Sequence, residues 1–134
     1  MKTFDTNVIV RVLVEDDAQQ SSRALQLWQQ ALGAGGVFVP KVVLVEVIWV
    51  LSRAYHFERQ VIAQIVSLML RTEGVHVEDV HQAHAALFAY MRGSADFSDY
   101  LLLESARAVA ALPVYTFDRR FSLNTDVALI QPSS

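Results

Sequence analysis

The chain has no cysteine, which excludes disulfides, thiolate-held metals and a cysteine nucleophile. Only five glycines and three prolines occur in 134 residues. Turn signals are therefore sparse, and no linker, repeat or low-complexity stretch divides the sequence. A single domain spanning residues 1–134 is expected, since one core serves chains of roughly 100–200 residues. Basic residues are few: eleven against fourteen acidic ones, for a net charge of −3, with no basic run beyond Arg119-Arg120. That balance is too mild to identify a partner. No hydrophobic run is long, because Val42 to Leu51 is interrupted by Glu46 and reaches only about half of a membrane span. The opening Met1 to Asn7 carries an acid and polar groups where a secretory signal needs an apolar stretch. A soluble, cytoplasmic protein with no membrane contact is expected.

What is abundant is apolar side chain, at 53% of residues against 19% charged, with mean hydropathy +0.29. This composition excludes a disordered tail. It is also oily for a 15.0 kDa monomer, so part of the surplus is expected to cover a homodimer interface. Met1 to Phe4 reads as a short strand that ends at Asp5-Thr6-Asn7. Val8 to Val14 fits a strand or a buried helix equally well. Leu25, Trp28 and Leu32 mark a helix that stops at Gly33 to Gly36, and Val37 to Val39 is a strand followed by a helix entered at Pro40. A helix with Val61, Ile62, Ile65, Val66 and Met69 closes near Gly74. Strand Val75 to Val77 follows, then a helix striped by Val80, Ala83, Leu87 and Phe88 that ends near Gly93. Asp96 opens a helix reaching Leu112-Pro113, before strands Val114 to Phe117 and Val127 to Ile130. Short strands alternating with helices predict an α/β fold with a mainly parallel sheet covered on both faces.

In such sheets ligands bind beyond the carboxyl ends of the strands. Asp5 and Asp118 each follow a strand directly, so both are expected there. Glu46 stands alone in a segment that is apolar on every helical face, with no lysine or arginine within four residues. It is expected to be a buried carboxylate that needs a cation or a proton. Asp96 and Asp99 open the next helix, where Asp96 suits the cap and Asp99 the reciprocal position of a capping box. A helix N-terminus also favours an anion beside a metal, so the two roles are compatible. Acids gathered at one end of a sheet repel one another unless a hard cation sits among them. Carboxylate oxygens suit Mg²⁺ or Mn²⁺, and such a centre points to phosphodiester hydrolysis by activated water.

These residues carry a resemblance. Asp5-Thr6-Asn7-Val8, Val45-Glu46, Asp96-Phe97-Ser98-Asp99 and Thr116-Phe117-Asp118-Arg119-Arg120-Phe121 stand in the order and at the spacing of the PIN-domain ribonucleases, nearest to the VapC-type toxins of bacterial toxin–antitoxin pairs. The chain resembles that family over almost its whole length. The resemblance implies that Asp5, Glu46, Asp99 and Asp118 are the catalytic, metal-binding quartet. Asp96 falls at a further position that is often acidic, and Asn7 and Thr116 match polar positions that support the acids. It also implies a three-layer α/β/α sandwich, Mg²⁺-dependent endoribonuclease activity with Mn²⁺ able to substitute, a homodimer, and a neutralising antitoxin. A basic antitoxin side chain paired with the acids is the expected inhibitor.

Other features point to less. His81 and His84 have helical i, i+3 spacing but no evident third ligand, so they and His56 and His76 read as structural or solvated. Glu15-Asp16-Asp17 reads as a solvated loop with a capping role, Glu104 as surface, and Ser98 as part of a helix start. Arg11, Lys41, Arg53, Arg92, Arg119 and Arg120 are the basic candidates for RNA phosphates. Trp49, Tyr55 and Phe57 read as core, or as a dimer or antitoxin surface given the apolar excess. A haloacid-dehalogenase-type phosphatase also starts with an acid after its first strand, but it needs a second aspartate where Asn7 stands. A receiver domain needs a mid-chain aspartate and a late lysine, both missing. An α/β interaction module without activity is the remaining alternative.

Overall fold

Residues 1–14 and 18–133 are described by the computed structural model; Glu15-Asp16-Asp17 lies outside the described residues. The chain divides into two compact units, Met1–Val80 and His81–Ser134. In both, strand pairing is parallel throughout, as the alternation of strands and helices predicts.

The first unit runs β1 (Lys2–Thr3), α1 (Thr6–Val14), α2 (Ala18–Gly33), β2 (Val37–Val39), α3 (Lys41–Arg53), α4 (Arg59–Arg71) and β3 (Val75–Val77). Its sheet has the order β1-β2-β3, with Lys2 opposite Val37 and Val37 opposite Val75. The middle strand is the driest, since Val37 and Val39 are fully buried. The ambiguous segment Val8 to Val14 is helical because the Asp5 carbonyl accepts the N–H groups of Val8 and Ile9 at 3.0 and 3.1 Å, starting a helix that buries Ile9 and Val10. Helix α2 closes with Gly36 N–H on the Ala31 carbonyl at 2.8 Å, and Gly35 takes φ +102°, a conformation open to glycine at no side-chain cost.

Helix α3 departs from expectation. It buries Leu44, Val47, Ile48 and Leu51, but leaves one stripe uncovered: Val42, Glu46 and Trp49. These follow at i, i+4 and i+7, so they share one face. Trp49 is 61% exposed and is surface, whereas Tyr55 and Phe57 are half-buried and pack against each other at 6.0 Å. The start of α3 is tied to the end of β3. The Glu78 carboxylate accepts the Lys41 backbone N–H at 2.9 Å, and Lys41 Nζ pairs with Asp79 at 2.7 Å.

The second unit contains nearly all of α5 (Val80–Arg92), then α6 (Phe97–Ala108), β4 (Val114–Thr116), a 3₁₀ turn at Phe121–Leu123 and β5 (Val127–Leu129). Ala83, Ala86, Leu87 and Tyr90 of α5 are buried with Phe97, Tyr100, Leu101 and Leu103 of α6. Phe88 is not on the buried stripe; it is 60% exposed, with the Arg92 guanidinium 4.8 Å above its ring. Helix α6 stops at Ala108, short of Leu112. Ala110 there adopts φ +57°, while Ala111 N–H reaches the Ala106 carbonyl at 2.9 Å and Ala110 N–H the Arg107 carbonyl at 3.1 Å. This is the glycine-type closure built on alanine, so no glycine announces it. Ala110→Gly is expected to raise stability by about 0.5–1 kcal/mol, because the left-handed cost of an L-residue outweighs the extra freedom of glycine in the unfolded chain. Denaturant titration checks this; an unchanged or lower midpoint would mean the strain is absent.

Candidate active site

In the first unit the site begins where β1 stops. Asp5 caps α1, and its Oδ1 accepts the Thr6 N–H at 2.6 Å. Thr6, only 5% exposed, donates its hydroxyl to Glu46 Oε2 at 3.2 Å. One threonine therefore touches both acids, through its backbone to Asp5 and its side chain to Glu46. The family resemblance implies a supporting role for Asn7. Asn7 is instead exposed and borders a different cavity, with Val8, Arg11, Gln20 and Arg23, making no hydrogen bond to either acid among the described residues. The available signal was position, since Thr6 is the first helical residue after an acid at a strand end.

Glu46 is not the buried carboxylate that its apolar neighbours implied. It is exposed on the uncovered stripe of α3, because that helix packs on one side only. Its charge meets water and one threonine hydroxyl, so burial places no demand on it for a cation.

In the second unit three acids border one cavity of about 470 Å³, lined by Ser94, Ala95, Asp96, Asp99, Asp118, Arg119 and Arg120. Asp96 and Asp99 form the capping box of α6: Asp96 N–H donates to Asp99 Oδ2 at 3.3 Å. Asp99 N–H also donates to the Asp96 carbonyl at 3.0 Å. Asp118 follows β4 and is oriented from two sides. Its N–H donates to Thr116 Oγ1 at 3.0 Å, and its Oδ1 accepts the N–H groups of Arg120 and Phe121 at 2.9 and 3.2 Å. Thr116 thus acts on Asp118 through the backbone.

Asp99 is the electrostatically strained member. Its pKa is raised above the ordinary carboxylate value, first by burial and then by the nearby charges of Asp96 and Asp118; the bond from Asp96 N–H offsets part of this. A group that resists ionisation beside two other acids is what a bound cation would relieve. The donor set is carboxylate oxygen alone, which fits a hard divalent ion. Within neither unit, among the described residues, do three or more His, Cys, Asp or Glu side chains close into a metal cage. Asp5 and Glu46 share Thr6 in the first unit, and Asp96, Asp99 and Asp118 share a cavity in the second.

The remaining candidates sort by their partners. Glu104 is bound by Arg107 at 2.8 Å, and Arg107 also bonds Asp126 and the Thr125 carbonyl, so this cluster locks α6 to the segment before β5. His56, His76, His81 and His84 are all exposed. Lys41 and Arg92 are engaged as described above, and Arg11 bonds Gln20 and Tyr55. Among the basic candidates, Arg119 and Arg120 border the acidic cavity.

Both units are parallel α/β, and in the second a guanidinium pair stands beside three carboxylates. The PIN-domain family model matches residues 2–125, and the chain belongs to that family. It is similar to a protein named VapC ribonuclease from Aquifex aeolicus (strain VF5), with 28% identity over 123 residues, 90% of each chain.

Proposed function

We propose that the chain is a metal-dependent endoribonuclease, the toxin of a toxin–antitoxin pair, built as one PIN domain over residues 1–134. The observation that carries this reading is the cavity in which Asp96, Asp99 and Asp118 lie beside Arg119 and Arg120, pairing groups that hold a cation with groups that hold phosphate. The family match and the relative named as a ribonuclease support it. Asp5, Glu46, Asp99 and Asp118 are the proposed ligands of Mg²⁺ or Mn²⁺, with Asp96 a further donor; their order along the chain and the span of the family match support their acting together.

Such an ion supplies Lewis-acid activation of water and charge neutralisation for phosphodiester hydrolysis. The protein's own groups supply orientation. Thr6 fixes Asp5 and Glu46 relative to each other, Thr116 and the turn N–H groups fix Asp118, and the α6 cap fixes Asp99. Arg119 and Arg120, which border the cavity, are the proposed contacts to the phosphates of the RNA. Large apolar side chains left exposed, among them Val42, Trp49, Leu68 and Met91, support a homodimer and an antitoxin surface. No described helix is long and apolar enough to cross a membrane; a cytoplasmic location is part of the proposal.

Purified protein is expected to cut single-stranded RNA only with Mg²⁺ or Mn²⁺, leaving 5′-phosphate and 3′-hydroxyl ends because water is the nucleophile. Cleavage that survives EDTA, or ends carrying 2′,3′-cyclic phosphate, would contradict the reading.

A further inference from the structure

Exposure alternates along the strand that leads to Asp118. Val114 and Thr116 are half-buried, whereas Tyr115 is 68% and Phe117 77% exposed. Tyr115 lies in β4 and Phe117 is the first residue beyond it, so two exposed rings stand at the end of the strand that leads to Asp118. On β5 the residue in register with Tyr115 is Ala128, a methyl group that leaves the ring open on that side. Among the described residues neither ring packs against another aromatic. Two large apolar rings in water are costly unless something covers them.

Their neighbours identify the occupant. Phe117 immediately precedes Asp118, and Arg119 and Arg120 follow, both exposed and both bordering the acidic cavity. Aromatic rings beside guanidinium groups are the pairing that holds single-stranded nucleic acid: bases stack on the rings and phosphates meet the cations.

We propose that Tyr115 and Phe117 form a base-stacking platform that holds unpaired RNA bases next to the cleavage site, with Arg119 and Arg120 gripping the adjoining phosphates. The proposal rests on the nuclease reading and names the residues that seat the bases of its single-stranded substrate. Bases must be unstacked to lie on the rings, so the enzyme selects single strands over duplex. Both residues are positioning groups and take no part in bond cleavage.

The test measures binding and cleavage separately, on full-length wild type, Phe117→Ala, Phe117→Leu and Tyr115→Ala. Binding is read by anisotropy in EDTA with a labelled random-sequence 12-mer RNA and with a 12-base-pair RNA duplex. Phe117→Ala is expected to weaken single-strand binding about tenfold, the usual order for losing one stacked base, with duplex binding unchanged. Phe117→Leu should behave like alanine, because leucine keeps the apolar volume but lacks the π-face. A 12-mer carrying 2-aminopurine should lose fluorescence on binding wild type and less on binding Phe117→Ala.

Single-strand affinity within twofold of wild type in both alanine variants would overturn the platform, as would full rescue by leucine. A change in sedimentation of Phe117→Ala without a change in RNA affinity would overturn it in favour of a protein interface. Wild type that shows the stacking losses but cuts no RNA with Mg²⁺ would refute the nuclease reading and uphold the platform. Cleavage by wild type with variants of equal affinity would do the reverse.

Discussion

Replacing Asp99 by Asn is expected to cut RNA cleavage at least about 100-fold while leaving the fold intact. Outer-shell partners of metal ligands already cost 10–100-fold when removed, so a direct carboxylate should reach the top of that range. Asparagine keeps the shape and still offers an oxygen to the Asp96 N–H, so the cap of α6 survives. Stability should move the other way from activity. The Asp99 pKa is raised in the folded state, so the folded chain holds that proton more tightly than the unfolded chain does. Its contribution is complete below the unfolded pKa and is lost as pH rises through the raised folded value. The asparagine variant lacks this loss. Melted in EDTA between pH 3 and pH 7, it should gain on wild type as pH rises. Added Mg²⁺ should raise the wild-type melting temperature and leave the variant unmoved. If the variant instead falls behind wild type toward neutral pH, Asp99 is a structural anion and its place in the metal centre is lost.

The second large effect is expected at Gly93, which ends α5. A Cβ built there falls onto the Tyr100 hydroxyl. Tyr100 is 2% exposed, and its oxygen accepts the Ala95 N–H at 3.2 Å, so the ring has nowhere to retreat. Gly93→Ala should therefore destabilise the chain by about 3 kcal/mol, at the upper end of overpacking costs. It should also lower Mg²⁺ affinity in the folded fraction, because residues 93–100 carry Asp96 and Asp99. The check is a double substitution. Tyr100→Phe alone should cost about 1 kcal/mol for the lost hydrogen bond, yet in the Gly93→Ala background it should recover stability by removing the clashing oxygen. Simple additivity of the two losses would show that the Gly93 contact is not what limits the site.

The sequence made the alternation of elements legible, because apolar runs of strand length and stripes of helix period are local. It also made Asp5, Asp99 and Asp118 legible, since each is punctuation at a strand or helix end. What it concealed was which side of an element faces the core. Helix α3 is apolar all round, so nothing in it reveals that Val42, Glu46 and Trp49 are the outward stripe. Partial burial falls instead on Asp99, whose place in the first turn of α6 reads as a helix cap. Strand-then-acid order also proved less selective than it looked: Glu78 and Asp79 follow β3 in the same way, and both are taken up by Lys41. Thr6 was hidden for another reason, since a hydrogen bond across forty positions leaves no trace in spacing. The early end of α6 was missed because Ala110 does the work usually given to glycine.

The register of the two ladders has an entropic consequence. Lys2 meets Val37 and Val37 meets Val75, each across two intervening helices, whereas Val114 meets Val127 across a single short turn. Loop closure costs about 0.6 kcal/mol for each doubling of the enclosed chain, so each pairing in the first unit carries nearly 1 kcal/mol more closure cost. The strand that leads to Asp118 is thus paired by nearly local chain, and the strand that leads to Asp5 by distant chain. Insertions between the helices of the first unit lengthen loops that are already long and add little to that cost. An insertion of the same size between Thr116 and Val127 enlarges the closed loop proportionally more, and it falls in the segment that carries Asp118, Arg119 and Arg120.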